Sequence, residues 1–229
     1  RTRGGLFIGY IRIKQFNANA ANEMKVTLKD LETKNVSGYI LDLRSNPGGL
    51  LESSIDISRQ FVNKGIIVST LTKDGLKETT RGNGKALTQK PLVVLVNEGS
   101  ASASEIVSGA IRDNRRGKLV GKKTFGKGLV QSMRTLVDGS GLTVTVAKYL
   151  TPNGIDINKF GISPDLEVKM NLNPILQKEI GTRKDNQYRA GEKVLVNIIK
   201  RKNKISFYNS NFNNFGPYLE DETNKVFSF

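Results

Sequence analysis

Pro91-Leu92-Val93-Val94-Leu95-Val96-Asn97-Glu98-Gly99-Ser100-Ala101-Ser102-Ala103-Ser104-Glu105 changes character halfway. Its first six residues are the most apolar strand candidate in the chain, short and continuous as in strands buried on both faces of a parallel sheet. The residues after Asn97 are polar or tiny, and from near Ser102 a small-residue helix is expected, closing at Gly117. A buried strand that passes at once into a helix is the repeating unit of an α/β fold.

The same unit recurs upstream. Gly38 to Leu43 is a second short apolar run, followed after Arg44 by the turn Ser45-Asn46-Pro47-Gly48-Gly49 and an amphipathic stretch with Leu51, Ile55 and Val62 on one face. Before it, Leu6 to Lys14 reads as a strand, and from Asn17 the spacing of Ala20, Met24, Leu28 and Leu31 predicts a helix that stops near Asn35. Downstream, Ile66 to Thr72 and Leu76 to Thr80 flank Lys73-Asp74-Gly75, a hairpin signal. Lys118 to Val120, Leu129 to Thr135 and Leu142 to Tyr149 read as further strands, the last two joined across Asp138-Gly139-Ser140-Gly141. The expectation is an α/β fold with parallel pairing in the middle and hairpins at the edge. Residues 1–170 form the core of this reading. From about Asn171 the pattern weakens to one helix around Gln187 to Ile199 and an Asn- and Lys-rich end, so 171–229 is expected as an extension packed on the core or trailing from it.

With 37% hydrophobic and 25% charged residues among 229, the chain has the balance of a folded protein. Cysteine and histidine are both absent. That removes disulfides, thiolate metal sites, imidazole-ligated zinc and haem, cysteine nucleophiles and the Ser-His-Asp triad, and leaves acid-base chemistry to Asp, Glu, Lys or Tyr. The net charge of +15 suggests nucleic acid or an anionic membrane, but the basic excess is spread almost evenly along the chain. The one dense run, Lys200-Arg201-Lys202 with Lys204, reads as a solvated face or tail, and no nucleic-acid partner is expected. No run of about 18 apolar residues occurs, and Arg1-Thr2-Arg3-Gly4-Gly5-Leu6 lacks the order of a signal peptide. A start at Arg1 rather than Met implies missing upstream sequence.

Three places could carry chemistry. A serine on the first turn of the helix after Gly99 would have free N–H groups beside it and the positive end of the helix dipole under it; the plainer reading is an N-cap with small neighbours for packing. Lys127 lies between glycines in Phe125-Gly126-Lys127-Gly128, where an amine could be held against another backbone and out of water, lowering its pKa; alternatively it is a surface lysine in a turn. Gln131, four residues on, projects to the same side if the segment is extended. The turn Asn46-Pro47-Gly48-Gly49 follows a buried strand at the end where open α/β sheets place ligands, and its N–H groups could face an oxyanion, or it is an ordinary turn.

Taken together, Gly9 to Asn17 (GYIRIKQFN), Gly38 to Gly49 (GYILDLRSNPGG), Val96 to Ile106 (VNEGSASASEI) and Gly121 to Gln131 (GKKTFGKGLVQ) resemble the carboxyl-terminal processing, or tail-specific, protease family, over about residues 6–168. The resemblance implies Ser102 as nucleophile, Lys127 as general base and Gln131 as the residue holding the lysine, with 25 positions from Ser102 to Lys127 excluding Ser100 and Ser104. It implies Ala103 and Gly48 as oxyanion donors, with Gly49 in reserve, and Asp113 as a supporting residue. The implied fold is a spiral of strand-helix units like that of crotonase and the Clp protease subunit. The implied reaction is endoproteolysis near a substrate's C-terminus, without metal or organic cofactor. Protein substrates with accessible apolar C-termini, peripheral membrane association and an extracytoplasmic location, periplasm or thylakoid lumen, belong to the same expectation. In a photosynthetic source it points to the photosystem II D1 precursor. A PDZ domain is expected upstream of the first block. Retinoid carriers of the vertebrate eye resemble this domain without being proteases, so a binding module is the rival reading; the Ser102, Lys127 and Gln131 set favours the enzyme.

Overall fold

The computed structural model describes residues 5–171 and 179–212. In chain order its elements are β1 (Ile8–Arg12), α1 (Ala20–Thr33), β2 (Gly38–Asp42), α2 (Leu51–Phe61), β3 (Ile66–Thr72), β4 (Lys77–Arg81), β5 (Leu92–Val96), α3 (Ala103–Asp113), β6 (Lys118–Gly121), β7 (Leu129–Thr135), β8 (Gly141–Leu150), β9 (Leu166–Glu167) and α4 (Asn186–Phe212). The two apolar runs singled out in the sequence, β2 and β5, pair with each other, and every residue of both is buried. They form the middle of an all-parallel sheet of order β1-β2-β5-β6-β9.

Side chains alternate across this sheet as the period-2 geometry of strands requires. On one face Tyr39, Leu41, Leu43, Val94 and Val96 pack with Met24 and Leu28 of α1, Ile57 and Phe61 of α2 and Val107 and Ile111 of α3. On the other, Ile40, Val93, Leu95 and Val120 pack with Leu195 and Ile199 of α4. The sheet is therefore covered on both sides, the condition under which parallel strands are found. Asn35, the expected helix stop, takes the left-handed conformation after α1 at φ 52.

The hairpins differ from expectation. The strands β3–β4 and β7–β8 do not extend the edge of the parallel sheet; they join through β3 and β8 into a separate antiparallel sheet of order β4-β3-β8-β7. The reason lies in which apolar residues need cover. Ile55 of α2 and Ile106 and Ala110 of α3 face away from the parallel sheet and are buried by Ile67, Val68 and Tyr149. Beyond that contact the β7–β8 hairpin exposes Leu136, Val137, Leu142, Val144 and Val146.

The helix expected at Gln187 to Ile199 begins one residue earlier and runs on through the Lys200–Lys204 stretch, whose residues are exposed. It is fastened by more than apolar contact. Arg44, 2% exposed, donates Nε and Nη2 to Asp42, Nη1 and Nη2 to Asp185, and Nη1 to Gln187, at 2.6 to 3.0 Å. Tyr10 Oη donates to Asp42 at 2.7 Å, and the N–H groups of Gly181 and Tyr188 donate to Asp185 at 2.9 Å. Burial raises the Asp185 pKa, but Arg44 and the two N–H groups outweigh it and hold the carboxyl below its ordinary value. The expectation of a tail at the end of the chain falls on 213–229, outside the described residues.

Leu195→Ala should lower unfolding free energy by about 2–5 kcal/mol in urea titrations, because a fully buried side chain is removed from a helix-sheet contact. A group whose pKa is lowered by folding stabilises above its unfolded pKa and stops doing so as pH falls through the folded value. Asp185 should therefore contribute fully at neutral pH, and thermal midpoints should drop as pH falls below about 4, less steeply in Asp185→Asn.

Candidate active site

Three adjacent parallel strands end at one edge of the sheet, and each hands over to a segment named in the sequence. The strand β2 leads to the Asn46–Gly49 turn, β5 to the serine run and β6 to the Thr124–Gly128 loop. This is the carboxyl edge at which open α/β sheets build their sites.

Within the serine run the three hydroxyls have different fates. Ser100 Oγ donates to Leu43 O at 2.8 Å and accepts the Asn97 N–H at 3.0 Å. Ser104 Oγ donates to Asn46 O at 2.9 Å. Both serines are fully buried and tie the β5–α3 connection to the end of β2. Ser102, between them, is partly exposed and stands at the start of α3 with φ 54 and ψ −113. A non-glycine residue held there costs on the order of 1–3 kcal/mol, a strain that persists only where neighbours enforce it.

The enforcing neighbour is Glu105. Its fully buried carboxylate accepts the Ser102 N–H at 2.9 Å and the Lys127 N–H at 2.8 Å on Oε2, and the Thr124 hydroxyl and the Gly126 N–H at 2.8 Å on Oε1. One side chain thus fastens the nucleophile turn to the lysine loop. Glu105 lies in the first turn of α3, where the helix dipole favours a negative charge. Its role was not read from the sequence. Half of it was accessible, since Ser102 and Glu105 have the spacing of a capping box; the half that reaches Thr124, Gly126 and Lys127 joins residues about 20 apart and follows no local pattern.

The glycine turn packs directly on Ser102. A side chain at Gly48, φ 107, would meet Ala101 O and Ser102 Cβ at 2.8 Å and Ala103 N at 3.0 Å. The turn thus brings its backbone against the first peptide of α3, whose N–H is one of the unpaired donors every helix start leaves. The Gly48 N–H itself donates to Asn46 Oδ1 at 2.9 Å, so the donor first expected there is engaged, whereas the Gly49 N–H takes no part in the turn's own bonding. Asn46, fully buried, organises this wall: its amide donates to Ile13 O and its carbonyl accepts the Ala101 N–H and the Ser104 hydroxyl.

Of the two readings of Lys127, the structure matches the surface lysine. The Lys127 backbone is pinned on Glu105, and Gly128 is needed because Asn158 N lies 2.3 Å from where its Cβ would be. Lys127 and Gln131 are both exposed. Asp113 lies at the other end of α3, paired with Arg112 at 2.9 Å and accepting the Asn153 N–H at 3.2 Å, so it braces the turn after β8 rather than the serine.

The site thus combines a strained serine at a helix start, a glycine turn packed against it and a lysine loop tied to the same carboxylate. Residues 7–168 match Peptidase family S41, and the chain belongs to that family. It is 50% identical over 205 residues to a carboxyl-terminal-processing protease of Synechocystis, covering 90% of this chain and 48% of that protein. With the chloroplastic C-terminal processing peptidase of Tetradesmus obliquus it shares 42% over 168 residues, covering 73% and 36%. The solved structure of a photosystem II D1 C-terminal processing protease superposes with a TM-score of 0.68 at 42% identity, covering 71% of this chain and 42% of that one. The chain thus spans about half or less of the length of these relatives.

Glu105→Gln should uncouple the two loops, because an amide cannot accept at both ends. With up to two buried N–H groups left facing an NH2, unfolding free energy should fall by about 1–3 kcal/mol and peptide cleavage by at least about tenfold, read by thermal melts and steady-state kinetics.

Proposed function

We propose that this chain is the catalytic core of a serine-type endopeptidase that trims protein substrates near their C-termini with Ser102 as nucleophile and Lys127 as base. The observation that carries the reading is Glu105 Oε2, which accepts both the Ser102 and the Lys127 N–H and so fixes the two residues relative to each other. Ser102 Oγ attacks the scissile carbonyl carbon while neutral Lys127 Nζ takes its proton. The carbon–nitrogen bond then breaks as the ammonium returns that proton to the leaving amine. Water, deprotonated by Lys127, hydrolyses the acyl ester and frees Ser102. The Ala103 and Gly49 N–H groups hold the oxyanion, and Gly48 supplies the space. Lys127 enters the site by rotating its side chain about the pinned backbone as substrate displaces water, with Gln131 orienting the amine.

Leu50, Phe125 and Phe160 lie on or beside the loops of the site and are each more than half exposed, which supports apolar substrate ends. The exposed apolar residues of the β7–β8 hairpin support peripheral membrane contact. Similarity to cyanobacterial and chloroplastic processing proteases supports an extracytoplasmic place of action, periplasm or thylakoid lumen, and, in a photosynthetic source, the D1 precursor as substrate. The exposure of Lys127 is the one observation that favours the rival reading, a binding module of the same fold.

Both readings meet in one assay: cleavage of a peptide with an apolar C-terminal tail by the parent, Ser102→Ala and Lys127→Ala across about pH 6–10. The peptidase predicts a parent rate that rises with pH along a single limb as the lysine deprotonates, and losses of at least about a thousandfold in both variants. Cleavage that survives in either variant removes that residue from the mechanism. Tight peptide binding with no cleavage by the parent, in a longer chain as in this one, would establish the binding module.

A further inference from the structure

The family match ends at residue 168, yet Asp185 and Gln187, beyond it, are fully buried against Arg44, the residue that opens the glycine turn. We infer that Asp185 is a positioning residue for catalysis: through Arg44 it fixes the backbone that presents Gly48 and Gly49 to Ser102. The inference rests on the reading of Ser102 and the glycine turn proposed above.

All five N–H bonds of the Arg44 guanidinium have acceptors. Asp42 takes Nε and one from Nη2, Asp185 takes one each from Nη1 and Nη2, and Gln187 takes the other from Nη1. A guanidinium so filled has one orientation, and its backbone is held with it. The Arg44 N–H also donates to Asp42 Oδ1 at 3.0 Å. The next residue, Ser45, is left-handed at φ 57, and its N–H is caught by Asn97 Oδ1 at 2.7 Å. Asn46 follows with its bonds to Ile13, Gly48, Ala101 and Ser104. A strained residue thus sits between two anchored ones, and the first anchor is the arginine.

With an amide in place of the Asp185 carboxylate, one guanidinium N–H faces an NH2 instead of an acceptor and the charge keeps a single carboxylate partner. A buried cation in that state moves toward water, and the strained Ser45 is where the chain yields first. The displacement passes to Gly48, which packs against Ser102, and to Gly49 next to it. Substrate contacts elsewhere are untouched, so the loss falls on kcat rather than on KM.

Asp185→Asn, Asp185→Glu and Gln187→Leu, made alongside Ser102→Ala, test this through steady-state kinetics and amide hydrogen exchange. In folded Asp185→Asn, kcat should fall about tenfold or more with KM within about twofold, and exchange should quicken in residues 44–50 while α1 and β5 stay protected. Asp185→Glu should recover part of kcat. If Asp185→Asn does not fold, Gln187→Leu, which leaves both carboxylates on Arg44, should still lower kcat about threefold or more with the same local exchange. A uniform quickening of exchange with kcat per folded molecule unchanged, or no change in either, overturns the inference. Cleavage surviving in Ser102→Ala sinks the reading of the nucleophile instead, and local quickening in 44–50 without any parent cleavage would leave the coupling standing while the peptidase reading fails.

Discussion

Among the described residues no cation is paired with the buried Glu105 carboxylate, and it is stable there because four donors converge on its two oxygens from both sides of the site. A buried charge left unpaired would cost several kcal/mol, so the donors are a condition of its presence rather than an addition to it. The geometry of the nucleophile turn and of the lysine loop follows from that condition. Neither can move without stripping the carboxylate of partners, and the left-handed Ser102 is held by the same bonds. What the carboxylate fixes is backbone. Lys127 itself is an exposed residue, so the frame holds its backbone and leaves the rest of it at the surface.

A second buried cluster faces the opposite problem. Arg44 is a cation with two carboxylates, and the excess negative charge is offset by the Tyr10 hydroxyl and the N–H groups of Arg44, Gly181 and Tyr188. Glu105 works along the carboxyl edge of the sheet, between α3 and the lysine loop, whereas Arg44 works across it, between β2 and the segment before α4. The glycine turn lies between the two, touching Ser102 on one side and continuing from Arg44 on the other.

How much of this was legible depended on the distance over which each feature is encoded. The strand-helix units were readable because periodicity is local, and β2 and β5 were found because burial on both faces leaves a run with no polar residue to interrupt it until Asp42 or Asn97. Ser102 stood out from Ser100 and Ser104 only by a family spacing; in the structure the two flanking hydroxyls are spent on Leu43 and Asn46. The antiparallel sheet was missed because β3 meets β8 from about 80 positions away, and pairing over that range leaves no pattern in either strand. The strand β9, two residues long, is too short to show any period. For Lys127 the sequence left a buried amine and a surface lysine both open, because the flanking glycines report how closely other backbone approaches the loop, not where a long side chain ends.

Because the serine run, the glycine turn and the lysine loop leave from neighbouring strands, none of the chemistry resides in a contiguous stretch. Ser45 and Asn97 are 52 positions apart, Glu105 and Lys127 are 22, and Arg44 and Asp185 are 141. Contacts of such range form late, after the entropy of closing their loops has been met. Ser102 takes its strained conformation in the folded chain because the carboxylate that holds its N–H is itself held by Thr124, Gly126 and Lys127. The backbone conformation of this serine is thus a property of the assembled sheet edge and not of the peptide that contains it.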